Sequence, residues 1–206
     1  MAKPFLTPES KAALAEAVRA VESCSSAELV IAVRHRTGSY LHSDLLFGIL
    51  AGIAALAFLL FSPTVFAPVW ILIDPIVVGV LAGFLASWSS GLRRSFTPLA
   101  VRRQRVETAA RSTLVERRVH GTSGRTGILL YISVLEREAA LVVDVGVEAL
   151  AAMDGWKTAV EEIETAVRNK EDGVAVAARL RGLATLLSSA LVRGADDVNE
   201  LPDEVC

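Results

Sequence analysis

The 48 residues from 45 to 92 contain one charged side chain, Asp74, and are bounded by Asp44 on one side and Arg93-Arg94 on the other. A helix that lies on a water-soluble core must show a polar face to solvent, and no such face exists over this stretch. About 20 residues of helix cross a hydrocarbon core of roughly 30 Å, so the run holds two spans and a short connection but not three. The pattern predicts a helical hairpin with spans at 45–61 and 75–90 and a turn over 62–74. Pro63 and Pro68 mark that turn, because proline lacks the N–H a continuing helix needs and lipid supplies no substitute. Asp74, directly before Pro75, is expected to cap the second span at the interface, since a charge deep in the bilayer is costly. Trp70 and Trp88 suit the two membrane–water interfaces.

The charges outside the hairpin are unevenly spread. Residues 93–118 carry eight Arg and two Glu, a net of +6 in a chain whose formal net charge is −2. Beside a span, such a basic helix is drawn to anionic lipid headgroups, and no nucleic acid is expected as a partner. Arg34 and Arg36 precede the first span, the arginines follow the second, and the connecting loop has neither Lys nor Arg. The positive-inside rule therefore puts both termini in the cytoplasm of a multi-pass protein of the cell (inner) membrane. Charged residues from Glu9 to Glu22 exclude a signal peptide over the first 40 positions. Cys24 and Cys206, with no paired spacing, suggest neither a disulfide framework nor a zinc site.

Around the hairpin the chain reads as α/β. Thr7-Pro8 opens a helix that ends near Ser23, and the β-branched, alternating stretch 28–34 predicts a strand. Thr97-Pro98 opens a long helix to about 119, and 127–134 and 139–143 read as two strands joined by a tight turn. Helices at about 154–170 and 174–193 follow, punctuated by Gly173 and Gly194. The expected fold is a small mixed sheet of about three or four strands flanked by helices, with the transmembrane hairpin inserted into the first crossover. One discontinuous domain, 1–44 and 93–193, would thus carry a hairpin at 45–92 and an acidic, flexible tail at 194–206.

The order SSAELVIAV, helix, GTSGRTGILLYISVLEREAALVVDVGV, a helix around Trp156 and a closing Gly/Ala-rich helix resembles the TPM domain, or TPM phosphatase domain. It looks most like the bacterial membrane proteins in which an apolar hairpin interrupts that domain. The matching positions are Glu28, Arg125-Thr126-Gly127, Ser133, Glu136-Arg137, Asp144 and Gly146, over about residues 8–193. The resemblance implies a weak acid phosphatase, a divalent-metal binder or an accessory subunit of a membrane complex, since the family contains all three.

Read for chemistry, GTSGRTG is not a phosphate loop: it lacks the Lys, has the wrong spacing and precedes a strand. Ser133 lacks a nucleophile elbow, and His35, His42 and His120 are scattered. Carboxylates remain. Glu28 and Asp144, with Glu136 and Glu138 in the turn, form an oxygen-rich set of the kind that holds Ca²⁺ or Mg²⁺, although exposed turns favour such residues anyway. Asp144 leads, because Asp-x-Gly after a buried strand is expected at the sheet's carboxyl edge, where α/β ligands sit. Arg125 and Arg137 are candidate contacts for a phosphate or other anion. Gly48, Gly52, Gly79 and Gly83 form two small-xxx-small patterns that suit either a homo-oligomer or packing within the hairpin. Without a nucleophile–base pair, the leading expectation is an accessory or scaffold factor with a membrane-protein partner; the alternative is a weak divalent-metal-dependent acid phosphatase.

Overall fold

The computed structural model describes residues 5–194 and 200–201. Two compact units emerge, one from residues 1–37 and 102–206, the other from residues 38–101.

The first unit is an α/β layer structure. Thr7 caps α1 (Pro8–Cys24), its side chain accepting the Ser10 N–H at 3.0 Å, with Pro8 in the first turn where a missing donor does no harm. The strands β1 (Glu28–Arg34), β2 (Gly127–Ser133) and β3 (Glu138–Val143) form a three-stranded sheet in that order. β1 runs parallel to β2, with Glu28 opposite Gly127, and β3 returns antiparallel, with Ile128 opposite Val143. Both faces are covered, which explains why β1 and β2 are almost continuously apolar rather than alternating. Leu29, Ile31, Ile128, Leu130 and Ile132 pack into a core with α1, α7 (Asp154–Arg168) and α8 (Gly173–Ala190). Val30, Ala32, Leu129 and Tyr131 face the other way, onto Val106, Ala110 and Leu114 of α5 (Leu99–Glu116). A short α6 (Glu148–Ala151) lies between β3 and α7.

The second unit is the expected helical hairpin, with both helices starting earlier than 45 and 75 and the second ending at 88 rather than 90. α2 (Leu41–Phe61) and α3 (Pro68–Trp88) are each 21 residues long, and α4 (Ser90–Ser95) follows. α3 starts at Pro68, in the first turn, so Pro75 is interior to the helix. Asp74 therefore lies within α3 and caps nothing; Pro68 takes the N-terminal role that the sequence assigned to Pro75, because its missing N–H is an orphan there. The four glycines meet across this hairpin. A Cβ on Gly48 would lie 2.6 Å from the Gly79 carbonyl oxygen, and one on Gly79 would lie 2.9 Å from that of Gly48. The small-xxx-small faces thus bring the two helices of one chain into backbone contact. At the foot of the hairpin, Arg93 Nε and Nη2 donate to the two Asp44 oxygens at 3.0 and 2.7 Å, and Ser43 and Thr97 hydroxyls meet at 3.1 Å.

Gly79→Val should force α2 and α3 apart and lower the stability of the hairpin in micelles by about 1–3 kcal/mol, the usual cost of overpacking. Gly182→Ala in α8, where an added Cβ meets nothing within 4 Å, should instead raise stability by about 0.5–1 kcal/mol. Denaturant titration of the purified variants measures both.

Candidate functional site

The residues singled out by sequence collect at the two ends of the sheet. At the end where β1 and β2 begin, Gly127 sits between Glu28 of β1 and Asp144, whose N–H donates to the Gly127 carbonyl at 2.9 Å. Because β3 is antiparallel, Asp144 lies at the amino ends of the parallel pair, not at the carboxyl edge where α/β ligands usually bind. Gly127 has no freedom to be anything else: a Cβ there would collide with the carbonyl of Val119.

Each residue of the Arg-Thr-Gly stretch has a local task. Arg125 adopts a left-handed backbone, φ 54°, which turns its guanidinium back over the sheet end. There Nε and Nη2 donate to the two Asp144 oxygens at 2.7 and 2.8 Å. Asp144 also accepts the Val145 N–H at 2.8 Å, and the Gly146 N–H donates to the Arg125 carbonyl at 2.9 Å. Gly146 must be glycine, since a Cβ would lie 2.6 Å from that carbonyl oxygen. Thr126 donates its hydroxyl to the Ser26 carbonyl at 2.6 Å, tying the loop to the entry of β1. Burial pushes the Asp144 carboxyl up, but the hydrogen bonds from Arg125 and the Val145 N–H, with the positive charge of Arg125, outweigh it and hold the group below the ordinary carboxylate range.

Glu28 is held differently. Its two oxygens accept the backbone N–H groups of Glu200 and Leu201 at 3.1 and 3.2 Å, and the Glu200 carboxylate accepts the Ser123 hydroxyl at 2.6 Å. This part of the acidic tail docks on the sheet end, while the rest of the predicted flexible segment, residues 195–199 and 202–206, lies outside the described residues.

At the far end, Glu136 is fully buried and bonded to the Ser133 hydroxyl, and it accepts the Thr37 N–H at 3.0 Å. Thr37 donates its hydroxyl to Ser133 at 2.7 Å, and Arg102 Nη1 donates to the Glu136 carbonyl at 2.8 Å. Arg137, in the left-handed region at φ 53°, closes the turn between β2 and β3. Arg125 and Arg137 accordingly stand at opposite ends of β2, and no single anion can touch both.

The sequence expected exposed acids in turns, yet Glu28, Glu136, Glu138 and Asp144 are all buried. A divalent cation of the Ca²⁺ type needs six or more converging oxygens. Glu28 is held by tail amides and Asp144 by Arg125, two strands away, and among the described residues no group of three or more His, Cys, Asp or Glu gathers. As arranged, Glu28 and Asp144 do not fit a divalent metal.

Asp144→Asn should cost about 1–2 kcal/mol at neutral pH, by weakening a cap and a charge-assisted pair. A depressed folded-state pKa gives stability that is present above the unfolded value near 3.9 and is lost as pH falls through the folded value. The wild-type and Asp144→Asn stability curves should therefore diverge at neutral pH and converge below about pH 4, as followed by denaturant unfolding against pH.

Comparison of the sequence with protein-family models and with curated proteins gives no match. Among solved structures, the NMR structure of the BA42 protein from the psychrophilic bacterium Bizionia argentinensis superimposes with a TM-score of 0.60 at 15% identity, covering 100% of this chain and 97% of that one. At that identity the likeness is one of fold.

Proposed function

We propose that this chain is a membrane-anchored, TPM-like α/β domain that serves as an accessory or scaffold factor at the bacterial cytoplasmic membrane. One observation carries the reading: α2 and α3 have mean hydropathies of 2.4 and 2.3, yet only 11% and 6% of their most apolar windows are buried. Phe58, Leu60, Phe61, Leu72 and Val80 are among the large side chains pointing outward. Leaving each in water forgoes roughly 1.5–3 kcal/mol, so the solvent that suits this surface is lipid. The length agrees, since 21 residues at 1.5 Å each extend about 31 Å. The Asp44–Arg93 pair at the foot supports an insertion whose two ends leave the membrane on one side, and the arginines around it support a cytoplasmic side.

The same observations weigh against the phosphatase. A metal-assisted phosphomonoesterase needs carboxylates free to hold its ion, and Glu28 and Asp144 are each bonded to protein donors.

Membranes from expressing cells should retain the protein after alkaline carbonate extraction, and a reporter fused to the C-terminus should stay cytoplasmic. Purified protein with Mg²⁺ or Ca²⁺ should turn over a phosphomonoester at background rate, with Asp144→Ala indistinguishable from wild type. Release by carbonate would remove the anchor; metal-dependent turnover abolished in Asp144→Ala would restore the enzyme.

A further inference from the structure

β3 ends the sheet, with β2 on one side and, among the described residues, no strand on the other. The Asp144–Gly127 hydrogen bond sets the phase of the antiparallel ladder, so Glu138, Ala140 and Val142 turn their backbone groups toward β2. The N–H and C=O groups of Ala139, Leu141 and Val143 then point away, and among the described residues no hydrogen bond reaches them. A cavity of about 640 Å³ follows this edge, lined by all six residues of β3, by Arg103 and Glu107 of α5 and by Glu164 of α7.

Glu138 opens into that cavity with its side chain 2% exposed. Its Oε2 lies 3.5 Å from Arg103 Nε and from Arg168 Nη2, and its Oε1 has no hydrogen-bond partner among the described residues. A buried carboxylate oxygen without a donor is expensive, and Arg168 Nε and Nη2 beside it are buried without an acceptor among the described residues, so this cluster at the edge of β3 is incomplete as it stands. The surrounding charge says what kind of group would complete it. Glu107, Glu138, Glu148 and Glu164 along the cavity still outnumber Arg103 and Arg111 of its lining with Arg168 beside it, four acids to three arginines. Burial pushes the Glu164 carboxyl up, against the pull of Arg103 and Arg168 and reinforced by Glu138 and Glu107.

We propose that the outer edge of β3 is a docking site for an extended, basic segment of a partner protein, which adds as a fourth strand and delivers a lysine or arginine to Glu138. The proposal rests on the accessory reading, for which it names the surface that holds the partner. Free main-chain groups supply affinity, and the buried carboxylate selects the charge. The chain's own tail is excluded by its chemistry, since residues 194–206 hold five acidic and no basic side chains. A second copy is disfavoured as well: its β3 edge carries the same acidic excess, and its α5 and α7 flank that edge just as they do here.

The test uses the full chain in non-ionic micelles and a fluorescein-labelled hexapeptide of alternating lysine and valine, read by anisotropy. Binding should be saturable, at least tenfold weaker in Glu138→Gln, and lost for the same peptide N-methylated at every residue, which keeps its charge but has no N–H on either edge with which to pair. Amide exchange of wild-type Ala139, Leu141 and Val143 should slow when the peptide is added, a readout that does not depend on any variant folding. Equal binding of the methylated peptide, unchanged affinity in Glu138→Gln, unaltered exchange at those amides, or their protection through dimerisation without peptide would each overturn the site. None of these results touches carbonate resistance or phosphomonoester turnover, so the docking site and the accessory reading fail separately.

Discussion

Glu136, through its buried side chain and its backbone carbonyl, holds together the two points at which the chain leaves and re-enters the α/β unit. β1 and β2 are neighbours in the sheet although residues 35–126 lie between them. Closing so long a connection has an entropic cost that only contacts formed after closure can offset. Thr37 is the last residue of the unit before the hairpin and Arg102 the first after it, and both bond to Glu136, one to its side chain and the other to its carbonyl. A carboxyl group without solvent contact is tolerable because the Thr37 N–H and the Ser133 hydroxyl both serve it. The hairpin closes its own ends separately through Asp44 and Arg93.

What was legible in the sequence depended on how far apart the interacting residues lie. The strand at Glu28–Arg34 and the helices on either side of it follow from local signals, a Thr-Pro cap and a run of β-branched residues. The hairpin follows from a long apolar run whose only charge is Asp74, interrupted by Pro63 and Pro68. The start of α3 was misplaced because Asp74-Pro75 and Pro68 are both acceptable helix openings, and only packing against α2 decides between them. The roles of the acids were hidden for a similar reason, since Glu136 meets Thr37 across 99 positions and Glu28 meets Leu201 across 173. The Arg125–Asp144 pair was within reach: once Gly127 and Asp144 are paired in register, both residues must stand at the same end of the hairpin.

Three of the four buried acids share one device. Glu28, Glu136 and Asp144 sit at strand ends and accept backbone N–H groups from segments that would otherwise be loose: the tail, the exit of β1 and the turn after β3. A carboxylate so placed fixes a loop as a helix cap fixes a terminus, and its oxygens are then occupied by protein. This is a physical reason for a motif rich in acids and arginines to have no free ligand set. Glu138 departs from the pattern: one of its buried oxygens has no hydrogen-bond partner among the described residues, and the residue lines the cavity along β3.

Anchoring changes what such an edge can accomplish. A six-residue strand addition made from free solution is weak, because main-chain hydrogen bonds exchanged with water contribute only about 0.5–1.5 kcal/mol each and the incoming segment must be ordered. Two proteins confined to one membrane meet at a much higher effective concentration than two in bulk water, and a contact too weak to persist in solution then suffices. Under the proposed reading the hairpin and the sheet edge do complementary work: one would hold the domain at the surface, and the other would need only modest affinity once it is there.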